Sequence, residues 1–132
     1  MNKLLFDTNY LVRLIVADNV KQIDEMKLVL VQAIKGELVI YIDSSTIFEL
    51  QYVLTGEFYN LSKVDFVDKV NQLLDLNCLL FLEREIIIRT LELFGDNNLD
   101  INDCYLIAKS LYSGLIFTTF DKKAKKLFES IV

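Results

Sequence analysis

The 132-residue chain contains no histidine, and this absence removes several kinds of active site. Without an imidazole there is no Ser-His or Cys-His pair to activate a nucleophile and no histidine to ligate zinc. The two cysteines, Cys78 and Cys104, form no zinc-binding motif and suggest no disulfide framework. Such sparing use of cysteine predicts a reduced, cytoplasmic setting.

Glycine and proline are also scarce, with four glycines and no proline. Gly36, Gly56, Gly95 and Gly114 each stand where a helical pattern should end, so none of them belongs to a Gly-rich phosphate-binding loop. The chain has no low-complexity stretch and no internal repeat. We therefore expect residues 1–132 to form a single domain.

Long apolar runs are absent as well, although hydrophobic residues make up 53% of the chain. No run reaches the roughly eighteen residues that a membrane-spanning helix needs. Residues 1–7 are too short a segment, and too soon acidic, to be a signal peptide. We expect no membrane association, and the apolar surplus is compatible with a homodimer face or a groove for a partner.

Positive charge is in the minority, because 14 Lys and Arg residues face 19 Asp and Glu residues and the net charge is −5. An acidic chain is a poor non-specific binder of nucleic acid. Four lysines nevertheless crowd just after Asp121, namely Lys122, Lys123, Lys125 and Lys126. This run is as typical of a solvated helix face as of a phosphate-binding surface.

The apolar pattern predicts strands and helices that alternate along the chain. Short apolar runs predict strands at residues 3–6, 38–42, 78–82 and 115–119, with a stunted edge strand at 130–132. Helical spacing predicts helices at residues 8–17, 20–35, 45–54, 63–76, 85–94, 102–113 and 122–128. This order predicts an α/β fold with a short parallel sheet of four to five strands and helices on both faces.

Four carboxylates stand where predicted strands or helices begin or end: Asp7, Glu49, Asp103 and Asp121. Parallel strands all end at one edge of a sheet, and ligands of open α/β sheets bind at that edge. We therefore expect the four acids to meet there and to bind hard divalent cations, Mg²⁺ or Mn²⁺, through oxygen. Such ions can neutralise charge on a phosphodiester and stabilise its leaving oxygen, which predicts a metal-dependent phosphodiesterase.

Each acid also has a local interpretation that needs no metal. Asp7 and Asp121 each precede a predicted helix and could cap it, whereas Asp103 follows Asn102, which is itself a good cap. Glu49 is the least explained, because it lies in an apolar helical segment where an unpaired acid is unfavourable. The joint placement of all four acids favours a shared site.

The four segments that carry these acids resemble the motifs of the PIN-domain ribonucleases. In chain order they are residues 6–12 (FDTNYLV), 48–54 (FELQYVL), 102–108 (NDCYLIA) and 118–121 (TTFD). The resemblance covers nearly the whole chain, and a small single-domain member is most similar to the VapC-like toxins of bacterial and archaeal toxin–antitoxin pairs. Two departures stand out: Cys104-Tyr105 replaces the small residue usual after the third acid, and the last strand is almost absent.

The resemblance implies a three-layer α/β/α sandwich that cleaves RNA endonucleolytically with Mg²⁺ or Mn²⁺. It implies that the four acids ligate the metal and that Asn9 and Thr119 orient them or the attacking water. Asp100, three residues before Asp103, is a further ligand or a capping group. The family also implies a homodimer and an antitoxin whose tail covers the site.

The sequence leaves three other functions open. A stand-alone RNA-processing or flap-type nuclease would use the same site, and a neighbouring antitoxin gene would distinguish the toxin from it. A phospho-acceptor signalling domain also gathers acids at strand ends, and Asp43 follows a strand, but no lone lysine follows another one. A binding module that kept the fold without activity is disfavoured by the intact acid set.

Overall fold

The computed structural model describes residues 1–16 and 20–132, except the side chain of residue 20. The chain divides into two compact units, residues 1–82 and 83–132, each built from one uninterrupted stretch of sequence. Helices and parallel strands confirm the α/β class. No helix in the described ranges has the length and apolarity to cross a membrane. The single domain expected over residues 1–132 stays a prediction.

Among its described residues, the first unit contains a parallel sheet of three strands in the order β1-β2-β3. The strands are β1 (Asn2–Leu5), β2 (Leu38–Ile42) and β3 (Leu79–Phe81). Ile40 of the central strand pairs with Leu4 on one side and Leu79 on the other, and it is fully buried. The core of this unit therefore lies along β2, whose apolar, uncharged sequence suits a strand flanked on both sides.

In the described part of this unit, four helices accompany the sheet: α1 (Thr8–Ile15), α2 (Val20–Ile34), α3 (Ser44–Thr55) and α4 (Lys63–Leu74). Helix α1 follows β1 after two residues and packs against both α2 and α3. Because Asp7 precedes α1 and Glu49 lies within α3, the packing of these two helices determines where the two acids stand.

The second unit consists of three helices, α5 (Arg84–Asp96), α6 (Ile101–Ser113) and α7 (Lys122–Ile131). Helices α5 and α6 pack along each other, and α7 packs against α6. Gly114 ends α6 with a left-handed φ of +68°, which a residue without a Cβ adopts readily. The prediction that Gly95 ends a helix was wrong, because α5 continues through it to Asp96.

The sheet has three strands in the described chain, so the prediction of four to five strands was wrong. Residues 115–119 form no strand, and the side chain of Ile116 is 84% exposed. The expected edge strand at residues 130–132 does not form, since α7 continues to Ile131 and the N–H of its C-cap, Val132, donates to the Phe128 carbonyl. A strand needs a partner for its backbone, and a local apolar pattern reports side-chain preference without identifying that partner.

Candidate active site

Asp7 lies between β1 and α1 and caps the helix. Its Oδ1 accepts a hydrogen bond of 3.1 Å from the backbone N–H of Tyr10, and the side chain is exposed. The capping interpretation is therefore confirmed for this residue. Because the cap uses Oδ1, the lone pairs of Oδ2 can face a cation at the same time.

Glu49 is held by the residue that follows Asp7 in sequence. The Thr8 hydroxyl donates a hydrogen bond of 2.8 Å to Glu49 Oε2, which joins the first turn of α1 to α3. Thr8 is buried, whereas Glu49 is exposed between the buried side chains of Ile47 and Leu50. The acid in an apolar helical segment thus reaches the surface, and its carboxylate is fixed beside the N-terminus of α1.

Thr8 is a functional candidate that sequence reasoning missed. Its only sequence signal is a hydroxyl directly after Asp7, at a position that the helical pattern turns inward. The partner lies 41 residues further along the chain, so the contact depends on how α1 packs against α3. A carboxylate held by a buried hydroxyl has fewer orientations available, which suits a group that must ligate an ion.

Two acids of the second unit, Asp100 and Asp121, act on a third, Asp103. Asp100 occupies the N-cap position of α6 without a capping bond from its side chain, and Asp103 lies two residues into the helix, half-buried. Asp121 caps α7, its Oδ1 accepting a 2.8 Å hydrogen bond from the Ala124 N–H. Burial, followed by the negative charges of Asp100 and Asp121, raises the pKa of Asp103. The acids therefore create a negative potential that a cation would relieve.

The two supporting residues occupy different kinds of position. Thr119 Oγ1 accepts a hydrogen bond of 3.1 Å from the backbone N–H of Asp121, so this hydroxyl fixes the turn into α7 and leaves the carboxylate to cap the helix. Asn9 is exposed in the first turn of α1 and lines a cavity together with Asp7. The role of both residues in orienting ligands or water stays a prediction.

The profile of the PIN domain family matches residues 4–128, a range that includes all four acid-bearing segments. The chain belongs to the PIN domain family. PIN domains are typically nucleases and generally use divalent metal ions. A comparison with curated proteins finds no match. The family assignment made from the motifs is confirmed, and the VapC-like toxin identity stays a prediction.

The acids of this PIN domain fit a divalent cation by their chemistry, because carboxylate oxygens are what Mg²⁺ and Mn²⁺ prefer. They form two sets, Asp7 and Glu49 in the first unit and Asp103 and Asp121 in the second. Within residues 1–16 and 20–132, no three His, Cys, Asp or Glu side chains are grouped closely enough to hold a metal ion. Acids can affect one another's pKa across several ångströms, as Asp100 and Asp121 do for Asp103. Ligands of one Mg²⁺ ion must lie much closer together, because each is about 2.0–2.1 Å from the ion. The meeting of all four acids at one site stays a prediction.

The departure from the family pattern at Cys104-Tyr105 has a visible consequence in this PIN domain. Cys104 is fully buried, while the Tyr105 hydroxyl donates a 2.6 Å hydrogen bond to Oε1 of Glu83. Lys109 forms a 3.0 Å ion pair with Oε2 of the same carboxylate. Burial, then the bond to Glu83, raises the pKa of Tyr105, so the phenol stays neutral. The larger residue thus fastens α6 to the residue before α5.

Proposed function

We propose that this PIN domain is a Mg²⁺- or Mn²⁺-dependent endoribonuclease and the toxin of a toxin–antitoxin pair. The observation that carries the proposal is the family match over residues 4–128 together with an acid in each of the four motifs: Asp7, Glu49, Asp103 and Asp121. The chain has no histidine, so carboxylates are the groups best suited to promote phosphodiester cleavage.

Hydrogen bonds already hold the carboxylates of three of the four proposed ligands. Asp7 and Asp121 cap helices through one oxygen, and Glu49 is held by Thr8. Bound divalent ions would neutralise charge on the scissile phosphodiester and stabilise the leaving oxygen. The protein's own contribution is to hold these oxygens in place before substrate arrives, which limits the reorganisation that cleavage would otherwise require.

The lysines at the start of α7 support a nucleic-acid substrate. Lys122, Lys123, Lys125 and Lys126 are all exposed, and none of them forms an ion pair with another described residue. They follow Asp121 directly, so in an acidic protein the positive charge is concentrated beside a proposed metal ligand. Lysines in such a place can contact the phosphates of an RNA strand and release its counterions.

The proposed partners are a second copy of the chain and an antitoxin. Large apolar side chains such as Phe58, Ile116 and Phe120 are at least 84% exposed, which suits a homodimer face or a partner groove. An arginine of the antitoxin tail could pair with the site's carboxylates through two hydrogen bonds. We propose a cytoplasmic location, where RNA substrates are present. Co-purification from the native host distinguishes the toxin from a stand-alone RNA-processing or flap-type nuclease.

The deciding experiment is an RNA cleavage assay with purified protein. We expect cleavage with Mg²⁺ or Mn²⁺ and none with EDTA. Asp7→Asn and Asp121→Asn should each abolish cleavage, and asparagine caps helices about as well as aspartate, so both variants should fold. Asp24→Asn removes an exposed acid outside the motifs and should cleave like the wild type. Cleavage that persists in EDTA, or in both site variants, would refute the proposal.

A further inference from the structure

A small cavity opens beside Asp7 in the first unit. It is lined by Asp7, Asn9, Tyr10 and Arg13 of the α1 region and by Gln22, Glu25 and Met26 of α2. Its volume of about 120 Å³ is well below the roughly 300–1,000 Å³ of pockets that hold drug-sized ligands. The cavity therefore suits one planar ring rather than a whole nucleotide.

Hydrogen bonds within the protein hold two side chains of the cavity wall, Arg13 and Gln22, in place. Arg13 donates through Nε to the Gln22 side-chain oxygen and through a terminal nitrogen to the Tyr59 hydroxyl, 3.2 Å away. These bonds connect α1 to α2 and to the segment after α3. Arg13 and Gln22 thus act as a fixed wall, because part of their hydrogen-bonding capacity is committed within the protein.

Two other polar groups in the lining are uncommitted. In the described part of the chain, neither the Asn9 amide nor the Glu25 carboxylate has a hydrogen-bond or ion-pair partner. Beside them, the Tyr10 ring is 42% exposed and stacks at 4.8 Å on the buried ring of Phe6. The cavity thus combines a supported aromatic surface with an amide and a carboxylate that can accept hydrogen bonds.

The charges of the lining indicate which part of a nucleotide, the phosphate or the base, the cavity can bind. The one cation of the lining, Arg13, already donates to Gln22 and Tyr59, and Glu25 adds a negative charge, so a phosphate inside the cavity is disfavoured. A neutral base can stack on Tyr10, and such stacking contributes about 1–3 kcal/mol per base. Carboxylates accept from the cytosine amino group, and Asn pairs with adenine through its amino group and ring nitrogen. Uracil has no amino group to donate.

We propose that this cavity binds one nucleobase with an exocyclic amino group, on the RNA strand that reaches Asp7. The proposal rests on the proposed function for its substrate class, and it assigns Glu25 and Asn9 as the groups that read the base. Tyr10 supplies stacking for any base. The cavity thereby gives this PIN domain a preference against uracil at one position of its substrate.

The test measures binding separately from cleavage. Four labelled pentaribonucleotides, UUAUU, UUCUU, UUGUU and UUUUU, are titrated with protein in Ca²⁺, and their intactness is checked on a gel. We expect at least one amino-bearing sequence to bind about fivefold or more tighter than UUUUU, the discrimination of a weaker bidentate pair. Glu25→Ala should remove this preference, and Tyr10→Leu should weaken all four sequences alike.

Asp24→Ala is the matched control, because it removes an exposed acid from the same helix outside the cavity. Equal binding or no binding of the four sequences by the wild type would overturn the proposal, as would an unchanged preference in Glu25→Ala or its loss in Asp24→Ala. Selective binding without RNA cleavage in Mn²⁺ would refute the nuclease and leave the base-binding cavity standing. RNA cleavage in Mn²⁺ together with equal binding of the four sequences would refute the base-binding cavity and leave the nuclease standing.

Discussion

The hydroxyl of Thr8 donates a 2.8 Å hydrogen bond to Oε2 of Glu49, across 41 residues of sequence. It joins the residue after the first motif acid to the acid of the second motif. Because Thr8 is buried and Glu49 exposed, the bond fixes a surface carboxylate from within the protein. Its loss should therefore affect the positioning of Glu49 more than the stability of the fold.

Thr8→Val replaces the hydroxyl with a methyl group of the same shape. We expect kcat for RNA cleavage to fall about tenfold or more, as for other groups that orient a metal ligand. KM should change little, because Thr8 is buried. The free energy of unfolding should fall by about 1 kcal/mol or less, since water can replace the bond to the exposed carboxylate. Thr8→Ser keeps the hydroxyl and should restore kcat; unchanged kcat with a lower Tm would indicate a purely structural role.

Asp103→Asn tests the repulsion among the acids of the second unit. The pKa of Asp103 is raised by burial and by Asp100 and Asp121, so the folded protein binds a proton more tightly than the unfolded chain. Below the ordinary pKa of about 3.9 the Asp103 carboxyl is protonated in both the folded and the unfolded state, so the stabilisation that comes from its raised pKa is fully present. As the pH rises through the raised pKa, the metal-free protein loses stability. The variant should therefore be as stable as the wild type or more so at pH 7, and this advantage should vanish near pH 4.

Mn²⁺ should reverse that order of stability. An ion that binds only the folded protein stabilises it by about 2.7 kcal/mol at a hundredfold excess over its Kd. The wild type should gain more in Tm than Asp103→Asn, which has lost one ligand. If Asp103 served only the first turn of α6, the substitution would cost about 0.3–1 kcal/mol and Mn²⁺ would shift neither protein. Thermal scans of both proteins with and without Mn²⁺ separate these outcomes.

The lysines of α7 should contribute to RNA affinity in a salt-dependent way. Replacing Lys125 and Lys126 with glutamine should weaken binding of a single-stranded RNA and reduce the slope of log K against log salt by about one per lysine in contact. The control replaces Lys27 and Lys35, two exposed lysines of the first unit, and has the same net charge. Equal effects of both pairs would show that only net charge matters and that α7 is a solvated helix face.

The exposed apolar side chains predict self-association. Light scattering at micromolar concentration should give twice the monomer mass. Ile116→Ser and Phe120→Ser change side chains that are 84% and fully exposed, so a shift of either variant to the monomer would locate the interface near residues 115–120. A wild-type protein that is monomeric at this concentration would contradict the homodimer.

The sequence predicted most of what depends on neighbouring residues. Caps at Asp7 and Asp121 follow from an acid placed before a helical pattern, and the structure confirms both. The end of α6 at Gly114 has the same local origin. The predicted start of this helix at Asn102 was one residue too late, because α6 begins at Ile101 and Asp100 takes the N-cap position. Caps are set by the few residues around a helix end, so they can be read locally.

Features that depend on contacts between residues far apart in sequence could not be predicted from local sequence patterns. The apolar run at residues 115–119 predicted a strand, but a strand forms only where another strand offers its backbone. The hydrogen bond from Thr8 to Glu49 and the contacts of Glu83 with Tyr105 and Lys109 also join residues far apart in sequence. Such pairings arise from how helices pack, which no short window of sequence contains.

The division into two uninterrupted stretches, residues 1–82 and 83–132, has a consequence for protein synthesis. All three strands of the sheet lie in the stretch that the ribosome makes first, so this stretch can begin to fold before the other exists. Asp121 is translated about a hundred residues after Asp7, which takes roughly 5–20 s at ordinary elongation rates. Throughout that interval the nascent chain lacks at least one of its proposed metal ligands, Asp121. A ribonuclease arranged in this way would stay harmless to the messenger RNA that encodes it at least until Asp121 has been translated.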